Sequence, residues 1–400
     1  MKFFKKTQNT NEYVDTVFSV VGAAKKDTSE STINGTAGCL FDETGKLFTY
    51  KCVFENEKNI EARKKAAYAS SPAGNPEYIK AICNYILEDR IKNNYGGIAT
   101  AGGTGALYAA SKLCLDEGDT IIYPEIAWGN YKLIAQENGL KVLTYDVYNL
   151  EDLFNKIDSC SDKVFIIINS PCENPLGHSY TDEEWSKIFN KLNNLNKEVV
   201  LVIDNAYMDY AYNDPKKFFE EFNHINDNVL VLIAASCSKS FSYYGVRLGA
   251  LIAINNDAQF IDKFVNLASR LARTTWSNIS NGAMINVTEI LNNHFDEYVK
   301  ERDESVEMLR KRTSLFINQA NECGLVTYPY TEGFFVTIKV EDLSKRDEIH
   351  ARLMENHIYT IKVNKGIRVG LCSIPLNKID GLAKKIKDLT KTLQEFSCPL

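Results

Sequence analysis

The chain has 400 residues, of which 44% are hydrophobic and 24% are charged, with 46 Lys and Arg against 52 Asp and Glu. Because one hydrophobic core rarely organises a chain of this length, we expect two domains, or one large domain with a smaller satellite. The formal net charge of −6 argues against DNA, RNA or an anionic membrane as a partner, since such binding depends on clustered positive charge.

Membrane, secretion and metal signals are weak. No apolar run approaches the roughly 18 residues that a membrane-spanning helix needs. Met1–Lys6 could open a signal peptide, but the polar residues 7–12 stand where its apolar core should be. The ten cysteines are scattered, without a close pair at metal or redox spacing. We therefore expect a cytoplasmic enzyme with reduced thiols, no metal and no membrane partner.

The first part of the chain divides at about residue 50. Residues 1–49 are too short to fold alone, so we expect an N-terminal arm and a segment that packs on the C-terminal part or on a partner chain. In residues 50–293, β-branched runs alternate with helical patterns, which predicts a large α/β domain with a mostly parallel sheet between helices. The predicted strands are Thr120–Tyr123, Lys141–Tyr145, Val164–Asn169, Val199–Asp204, Val229–Ala234 and Leu248–Ile254. The predicted helices are Ala106–Leu115 and Thr181–Leu192. Glu184 follows Thr181 by three positions, as in a capping box.

The pattern changes after residue 293. A long, charged, amphipathic helix is predicted over residues 294–322. Shorter elements follow it, namely strands at Val326–Tyr328 and Phe334–Val340, a helix at Lys345–Glu355 and a strand near Ile367–Leu371. Runs of this kind predict that residues 294–400 form the linking helix and a small α+β domain.

The most informative segment runs from Ala235 to Gly249, between two predicted strands. Lys239 stands among small hydroxyl residues, and Arg247 follows it by eight positions. A lysine amine can form a Schiff base with an aldehyde, and a guanidinium can bind a phosphate through two parallel hydrogen bonds. Taken alone, the same residues could be a surface loop with two solvated cations.

The segment resembles the cofactor-lysine signature of the class I and II aminotransferases, which reads Ser-x-Ser-Lys followed by Arg-x-Gly. These are pyridoxal-phosphate (PLP) enzymes of fold type I, and the aspartate and aromatic aminotransferases are the most similar group. The resemblance implies fold type I for this chain. It also implies that Lys239 is the lysine that forms the internal aldimine with PLP. It also implies that Ser236 and Arg247 hold the phosphate of the cofactor.

Two further segments resemble cofactor-binding motifs of the family. Ala101–Leu107 is similar to its phosphate cradle, which assigns Gly103 and Thr104 to the phosphate; glycines and a helix N-terminus both suit an anion. Such glycine clusters also serve as packing or turn features. Asn169–Gly177 is similar to the family's Asn-Pro turn, which implies that Asn174 hydrogen-bonds the phenolic oxygen of PLP.

Four other residues receive cofactor roles from the resemblance. Asp204, at the end of a predicted strand, would pair with the pyridine nitrogen, and Tyr207 would donate to the phenolic oxygen. Without the lysine motif, this aspartate would be read as a helix cap. Trp128 would stack on the pyridine ring, and Tyr68 would reach the phosphate from the neighbouring subunit.

The resemblance implies that Asn174 and Trp128 contribute to substrate binding, and two arginines are expected to bind the substrate's carboxylates. Ile367–Leu371 is similar to the C-terminal motif whose arginine binds the α-carboxylate, which assigns this role to Arg368. Residues 273–282 are similar to the segment in which a partner subunit's arginine grips a side-chain carboxylate. The corresponding Arg273 favours aspartate or glutamate, although aromatic aminotransferases can retain the same arginine.

The resemblance implies a PLP-dependent aminotransferase with Lys239, Asp204 and Tyr207 as its catalytic residues. It would move an amino group between an L-amino acid, aspartate or glutamate favoured and aromatic ones possible, and a 2-oxo acid by a ping-pong mechanism. The implied assembly is a homodimer with active sites at the subunit interface. Two alternatives stay open: a carbon–sulfur β-elimination lyase, which shares fold and cofactor residues, and a PLP-sensing regulator. The regulator would need an attached DNA-binding domain, which neither the first fifty residues nor the net charge offers.

Overall fold

The computed structural model describes residues 16–391 and places its longest strands in one central sheet. The strands are β1 (Ile33–Asn34), β2 (Asn94–Ala101), β3 (Thr120–Pro124), β4 (Lys141–Tyr145), β5 (Lys163–Asn169), β6 (Glu198–Asp204), β7 (Val229–Ser236), β8 (Leu248–Asn255), β9 (Phe335–Lys339), β10 (Ile358–Tyr359), β11 (Ile361–Val363) and β12 (Gly366–Gly370). The α-helices are α1 (Thr16–Lys26), α2 (Lys51–Asn59), α3 (Ala62–Ala66), α4 (Pro76–Leu87), α5 (Gly102–Cys114), α6 (Asn130–Glu137), α7 (Leu150–Ser159), α8 (Asp182–Asn193), α9 (Cys237–Ser240), α10 (Ala258–Thr275), α11 (Asn281–Asn293), α12 (Phe295–Cys323), α13 (Leu343–Glu355), α14 (Leu376–Ile379) and α15 (Leu382–Lys391). Short 3-10 helices lie at Met208–Tyr210, Lys217–His224 and Leu371–Ser373.

The central sheet has seven strands in the order β2-β8-β7-β6-β5-β3-β4. Strand β8 runs antiparallel to both β7 and β2, and the other neighbouring pairs are parallel. Strands β5, β6 and β7 are buried along nearly their whole length, as expected when helices cover both faces of a parallel sheet. The predicted fold class, α/β with a mostly parallel sheet between helices, is confirmed.

Alternate residues of the central strands pack on opposite faces of the sheet. On β5, Ile166 belongs to one core together with Ile188 of α8, and Phe165 belongs to the other core together with Leu107 of α5. Each such fully buried side chain contributes about 1.5–3 kcal/mol to folding. The sheet is thus held from both sides, which fixes the ends of its strands in place.

A second, three-stranded antiparallel sheet in the order β11-β12-β9 lies in the C-terminal part of the chain. Its core includes Phe316 of α12, Leu353 of α13 and Ile386 of α15. Ile33 belongs to the same core, because β1 pairs in parallel with β10. The domain boundaries predicted from the sequence stay predictions; near the second one, only His294 separates α11 from α12.

Most element predictions agree with the structure to within a few residues, and two differences have physical reasons. The strand predicted at 326–328 is reduced to one bridge between Thr327 and Ile338. Strand β2 went unpredicted because its glycines give it weak strand character, yet it pairs along β8 over its whole length. The capping box at α8 is confirmed, since the Thr181 hydroxyl accepts from the Glu184 N–H at 3.2 Å.

Some sequence-based expectations concern parts of the chain that the structure does not describe. The interpretation of Met1–Lys6 and the state of Cys398 lie outside residues 16–391. Within these residues, no helix is long and apolar enough to cross a bilayer. The same part of the chain contains no group of three His, Cys, Asp or Glu side chains that could hold a metal ion. The cytoplasmic location stays a prediction.

Candidate active site

A cavity of about 450 Å³ opens at the carboxyl ends of β5, β6 and β7, where Asn169, Asp204 and Ser236 lie. Ligands of parallel sheets bind outside these strand ends. Ten of the twelve predicted site residues line this cavity, namely Gly103, Thr104, Trp128, Asn174, Asp204, Tyr207, Ser236, Lys239, Arg247 and Arg368. Segments that are far apart in the chain therefore contribute to one site.

One end of the cavity, which we name the glycine end, is formed by Gly102, Gly103, Ser236 and Arg247. Gly102 has a φ of +67°, and a Cβ atom there would lie 2.7 Å from Nη2 of Arg247. A Cβ atom on Gly103 would lie 3.1 Å from Cβ of Ser236. The two glycines thus let the start of α5 approach the serine and the arginine closely, because they carry no side chain.

The glycine end has the donors that a phosphate needs. Helix α5 has 13 residues, and no side chain caps its N-terminus, so its first N–H groups can donate to an anion. Nη1 of Arg247 donates to Oγ of Ser238 at 3.2 Å and to the Tyr244 carbonyl at 2.9 Å, which fixes the guanidinium. The residues present therefore fit the phosphate of the predicted cofactor.

Asp204 is the buried acid of the cavity. Its Oδ2 accepts a hydrogen bond from the hydroxyl of Tyr131 at 2.6 Å, and its Oδ1 accepts from the Ala206 N–H at 3.2 Å. Burial raises the pKa of the Asp204 carboxyl, while the Tyr131 hydrogen bond and the charge of Lys239 oppose this shift. The carboxylate is thus held by donors on one side and lies in the cavity wall, where it can pair with a protonated ring nitrogen.

Lys239 lies in α9, directly after β7. Its Nζ is 5.0 Å from the centre of the Tyr207 ring. Burial lowers the pKa of the Lys239 amine, and the nearby Asp204 carboxylate opposes part of this effect. A lower pKa leaves more neutral amine near pH 7 than an exposed lysine has, and the neutral amine is the form that attacks an aldehyde.

A second group of cavity residues, which we name the Arg368 end, consists of Thr36, Asn174 and Arg368. Nη1 of Arg368 donates to Oδ1 of Asn174 at 3.0 Å, and Nη2 donates to the Thr36 carbonyl at 2.8 Å. The amide of Asn174 in turn donates to the hydroxyl of Tyr207 at 3.5 Å. The guanidinium packs 4.3 Å from the centre of the Phe335 ring, and only 7% of Arg368 is exposed.

Arg368 lacks an acidic partner within the part of the chain that the structure describes. None of the ion pairs between described residues includes Arg368, and its buried Nε has no hydrogen-bond partner there. A buried cation without a counter-charge is costly to a folded protein. The Arg368 end is therefore suited to an anionic ligand such as a carboxylate, which a planar guanidinium can bind through two parallel hydrogen bonds.

Tyr68 and Arg273 do not line the cavity of this chain. Tyr68 is 87% exposed, and Arg273 is exposed at the end of α10, where it donates to the Ser277 hydroxyl. Asn278 connects their two segments: its Oδ1 accepts from the Ala69 N–H at 2.7 Å, and its amide donates to the Ser71 carbonyl. The two residues thus lie on segments joined at one place on the protein surface.

Several residues at the site were not predicted from the sequence. Helix α1 contributes Val17, Phe18 and Val21 to the cavity wall, and residues 36–41 contribute another part. No local motif marks either segment, because both reach the site through tertiary packing. Tyr131 was also not predicted as a site residue, although it follows Trp128 by only three positions and its ring contacts that of Trp128.

The family described as "Aminotransferase class I and II" matches residues 33–386 of the chain. A mitochondrial aspartate aminotransferase of Dictyostelium discoideum is 28% identical over 277 residues, which cover 64% of this chain and 62% of the relative. This match spans less than two thirds of the relative's own length.

Solved structures match the whole fold. An aminotransferase from Anaerococcus prevotii has a TM-score of 0.93 at 30% identity, covering 98% of this chain and 100% of the other. An aromatic-amino-acid aminotransferase from Burkholderia pseudomallei, covalently bound to pyridoxal phosphate, has a TM-score of 0.80 at 21% identity, covering 98% and 100%. The second likeness shows a shared fold.

Proposed function

The chain belongs to the class I and II aminotransferases, and we propose that it moves an amino group between an L-amino acid and a 2-oxo acid in a ping-pong cycle. Aspartate and glutamate are the donors we expect it to prefer over aromatic amino acids. The observation that carries the proposal is the buried guanidinium of Arg368, which lies in the same cavity as the Lys239 amine and has no acidic partner among the described residues. A receptor for a carboxylate beside an amine suits an α-amino acid.

The cofactor of this family, pyridoxal phosphate, fits the cavity. When bound, it draws electrons from Cα of the amino acid and so makes the α-proton removable. Arg247 and the N-terminus of α5 would hold its phosphate at the glycine end, and Asn174 and Tyr207 would donate to its phenolic oxygen. The Asp204 carboxylate would keep a proton on its ring nitrogen, and Trp128 would cover its ring.

Two residues of the chain would bind the substrate and move its proton. Arg368 would hold the α-carboxylate of the substrate, which fixes Cα next to Lys239. The Lys239 amine would take the α-proton as a general base and return it on the cofactor side as a general acid. Burial lowers the pKa of this amine, which raises the fraction of neutral base at a given pH.

The preference for a dicarboxylic donor rests on Arg273, and this role requires a homodimer. Arg273 and Tyr68 are exposed on one chain, on segments that Asn278 joins. We infer that this surface faces the cavity of a second copy, where Tyr68 would reach the phosphate and Arg273 the side-chain carboxylate. In that arrangement, each active site would contain residues of both subunits.

The test is the visible absorption spectrum of the PLP-loaded protein before and after aspartate and, separately, phenylalanine. We expect aspartate to convert the cofactor to its amine form at lower concentration than phenylalanine does, and 2-oxoglutarate to reverse the change. Pyruvate released from a sulfur amino acid without any 2-oxo acid would contradict transamination and support a β-elimination lyase. An unchanged spectrum with every amino acid would contradict both functions.

A further inference from the structure

Tyr131 on helix α6 is fully buried, and its hydroxyl donates to Asp204 over 2.6 Å. This contact connects helix α6, which follows β3, to the end of β6 at Asp204. Among the described residues, Asp204 is the one hydrogen-bond partner of the Tyr131 hydroxyl. A donor this close to a carboxylate is typical of a charge-assisted hydrogen bond.

The surroundings of Tyr131 leave its hydroxyl little freedom. Its ring packs edge-on against Trp128 with the ring centres 5.7 Å apart, and it contacts Tyr123 with a separation of 5.9 Å. Trp128 itself lines the cavity. The packing therefore aims the hydroxyl at Asp204, and the same aromatic group connects it to the wall against which the cofactor ring would lie.

Asp204 depends on this donor because it is buried. Apart from Tyr131, its side chain receives one hydrogen bond from the described residues, from the Ala206 N–H to Oδ1 at 3.2 Å. The Oδ2 atom would lose its only such donor if the hydroxyl were removed. Burial then favours the neutral acid, which cannot stabilise a protonated ring nitrogen.

We propose that Tyr131 is a positioning residue that keeps the Asp204 carboxylate ionised and oriented for the ring nitrogen of PLP. The inference rests on the role proposed above for Asp204. Tyr131 has no part in proton transfer, and it acts only through the carboxylate that it holds.

The test is a double-mutant cycle of Tyr131→Phe and Asp204→Asn, read by the dissociation constant of PLP and by the turnover number. Hydrogen bonds to charged groups lead us to expect Tyr131→Phe to weaken PLP binding about 10-fold and to lower turnover about 10- to 100-fold. In the Asp204→Asn background, the same change should alter either quantity less than about 3-fold, because the charge that Tyr131 serves is gone.

Tyr123→Phe is the matched control, since it removes a hydroxyl from the neighbouring ring and no hydrogen bond between described residues joins Tyr123 to Asp204. We expect it to leave PLP binding unchanged. If Tyr131→Phe does not fold, Tyr131→Met, whose flexible side chain adapts to the space, replaces it in the cycle.

Two outcomes overturn different statements. Equal losses from Tyr131→Phe with and without the Asp204 carboxylate would show that the tyrosine acts through packing, and would overturn the present inference alone. If Asp204→Asn by itself leaves PLP binding and turnover unchanged, the role proposed for Asp204 fails, and the role of Tyr131 fails with it.

Discussion

At the glycine end of the cavity, two adjacent glycines meet Ser236 and Arg247, which lie in one stretch of chain around the turn from β7 to β8. At the Arg368 end, by contrast, the guanidinium binds residues that are 194 and 332 positions away. Each side of the glycine end is a short local motif, and the pairing of β2 with β8 brings the two motifs together. At the Arg368 end, each residue comes from a separate segment of the chain. The proposed phosphate site is thus visible in short sequence motifs, whereas the proposed carboxylate site depends on packing between separate segments.

The largest expected effect concerns the amine of Lys239, which lines the same cavity as both ends. We expect Lys239→Ala to lower turnover by at least about 10⁴-fold, because it removes the nucleophile and the general base together. Single-turnover spectroscopy of the PLP-loaded variant with aspartate measures this. Lys26→Ala, at an exposed lysine, is the control. A loss of less than about tenfold would contradict the role of Lys239.

The second prediction concerns Arg368 and tests whether substrate binding at one end is independent of PLP binding at the other. We expect Arg368→Ala to lower kcat/KM for every amino acid by about 10²- to 10³-fold, the usual result of removing one partner of a buried charge pair. PLP binding should change little, because the glycine end is intact. Arg368→Lys should recover only a small part of the loss, since an ammonium cannot form two parallel hydrogen bonds. A parallel loss of PLP affinity would show that the ends are not independent.

The next prediction concerns Arg273, whose proposed role lies in the active site of a second copy of the chain and so outside both ends of one cavity. We expect Arg273→Ala to lower kcat/KM for aspartate about 10- to 100-fold and that for phenylalanine less than about 3-fold, because only aspartate has a second carboxylate. Arg270→Ala, one helical turn earlier and also exposed, is the matched control. Equal losses for both substrates would remove Arg273 from substrate selection.

The smallest effect concerns the glycine end itself. Gly102→Ala would place a Cβ atom 2.7 Å from the Arg247 guanidinium, at a φ of +67°. We expect PLP to bind about tenfold more weakly, because the arginine must move from the phosphate position. Gly45→Ala is the control, because Gly45 has a similar φ of +76° but open space around it. It therefore introduces the backbone strain of an alanine at positive φ without a contact like that with Arg247. Equal PLP affinity in both variants would argue against the contact with Arg247.

The same contrast explains how far the sequence predicts the site. Lys239, Ser236 and Arg247 form one motif, so their proximity follows from the local chain and the capping of α9 by Ser236. Asn169 and Asp204 are neighbours in register at two strand ends, which the alternation of strands and helices already indicates. The central strands were predicted to within a few residues because their apolar runs are long and uninterrupted.

Other parts of the site could not be read from the sequence. The Thr36 carbonyl is a backbone atom, and any residue type could supply it. The contribution of α1 depends on where the helix packs and not on which motif it carries. Tyr131 could have been found from its spacing to Trp128, but its bond to Asp204 depends on the path of β3 and α6.

The pairing of β1 with β10 limits how chimaeric enzymes can be built from this chain and its relatives. Gly35 accepts from the Gly370 N–H at 2.8 Å and donates to the Tyr359 carbonyl at the same distance, next to the Thr36 carbonyl that binds Arg368. A chimaera with one crossover in the middle of the chain would take these two sides of the proposed carboxylate site from different parents. We therefore expect a functional chimaera to take residues 33–41 and residues 335–374 from the same parent, although the two segments are far apart in the gene.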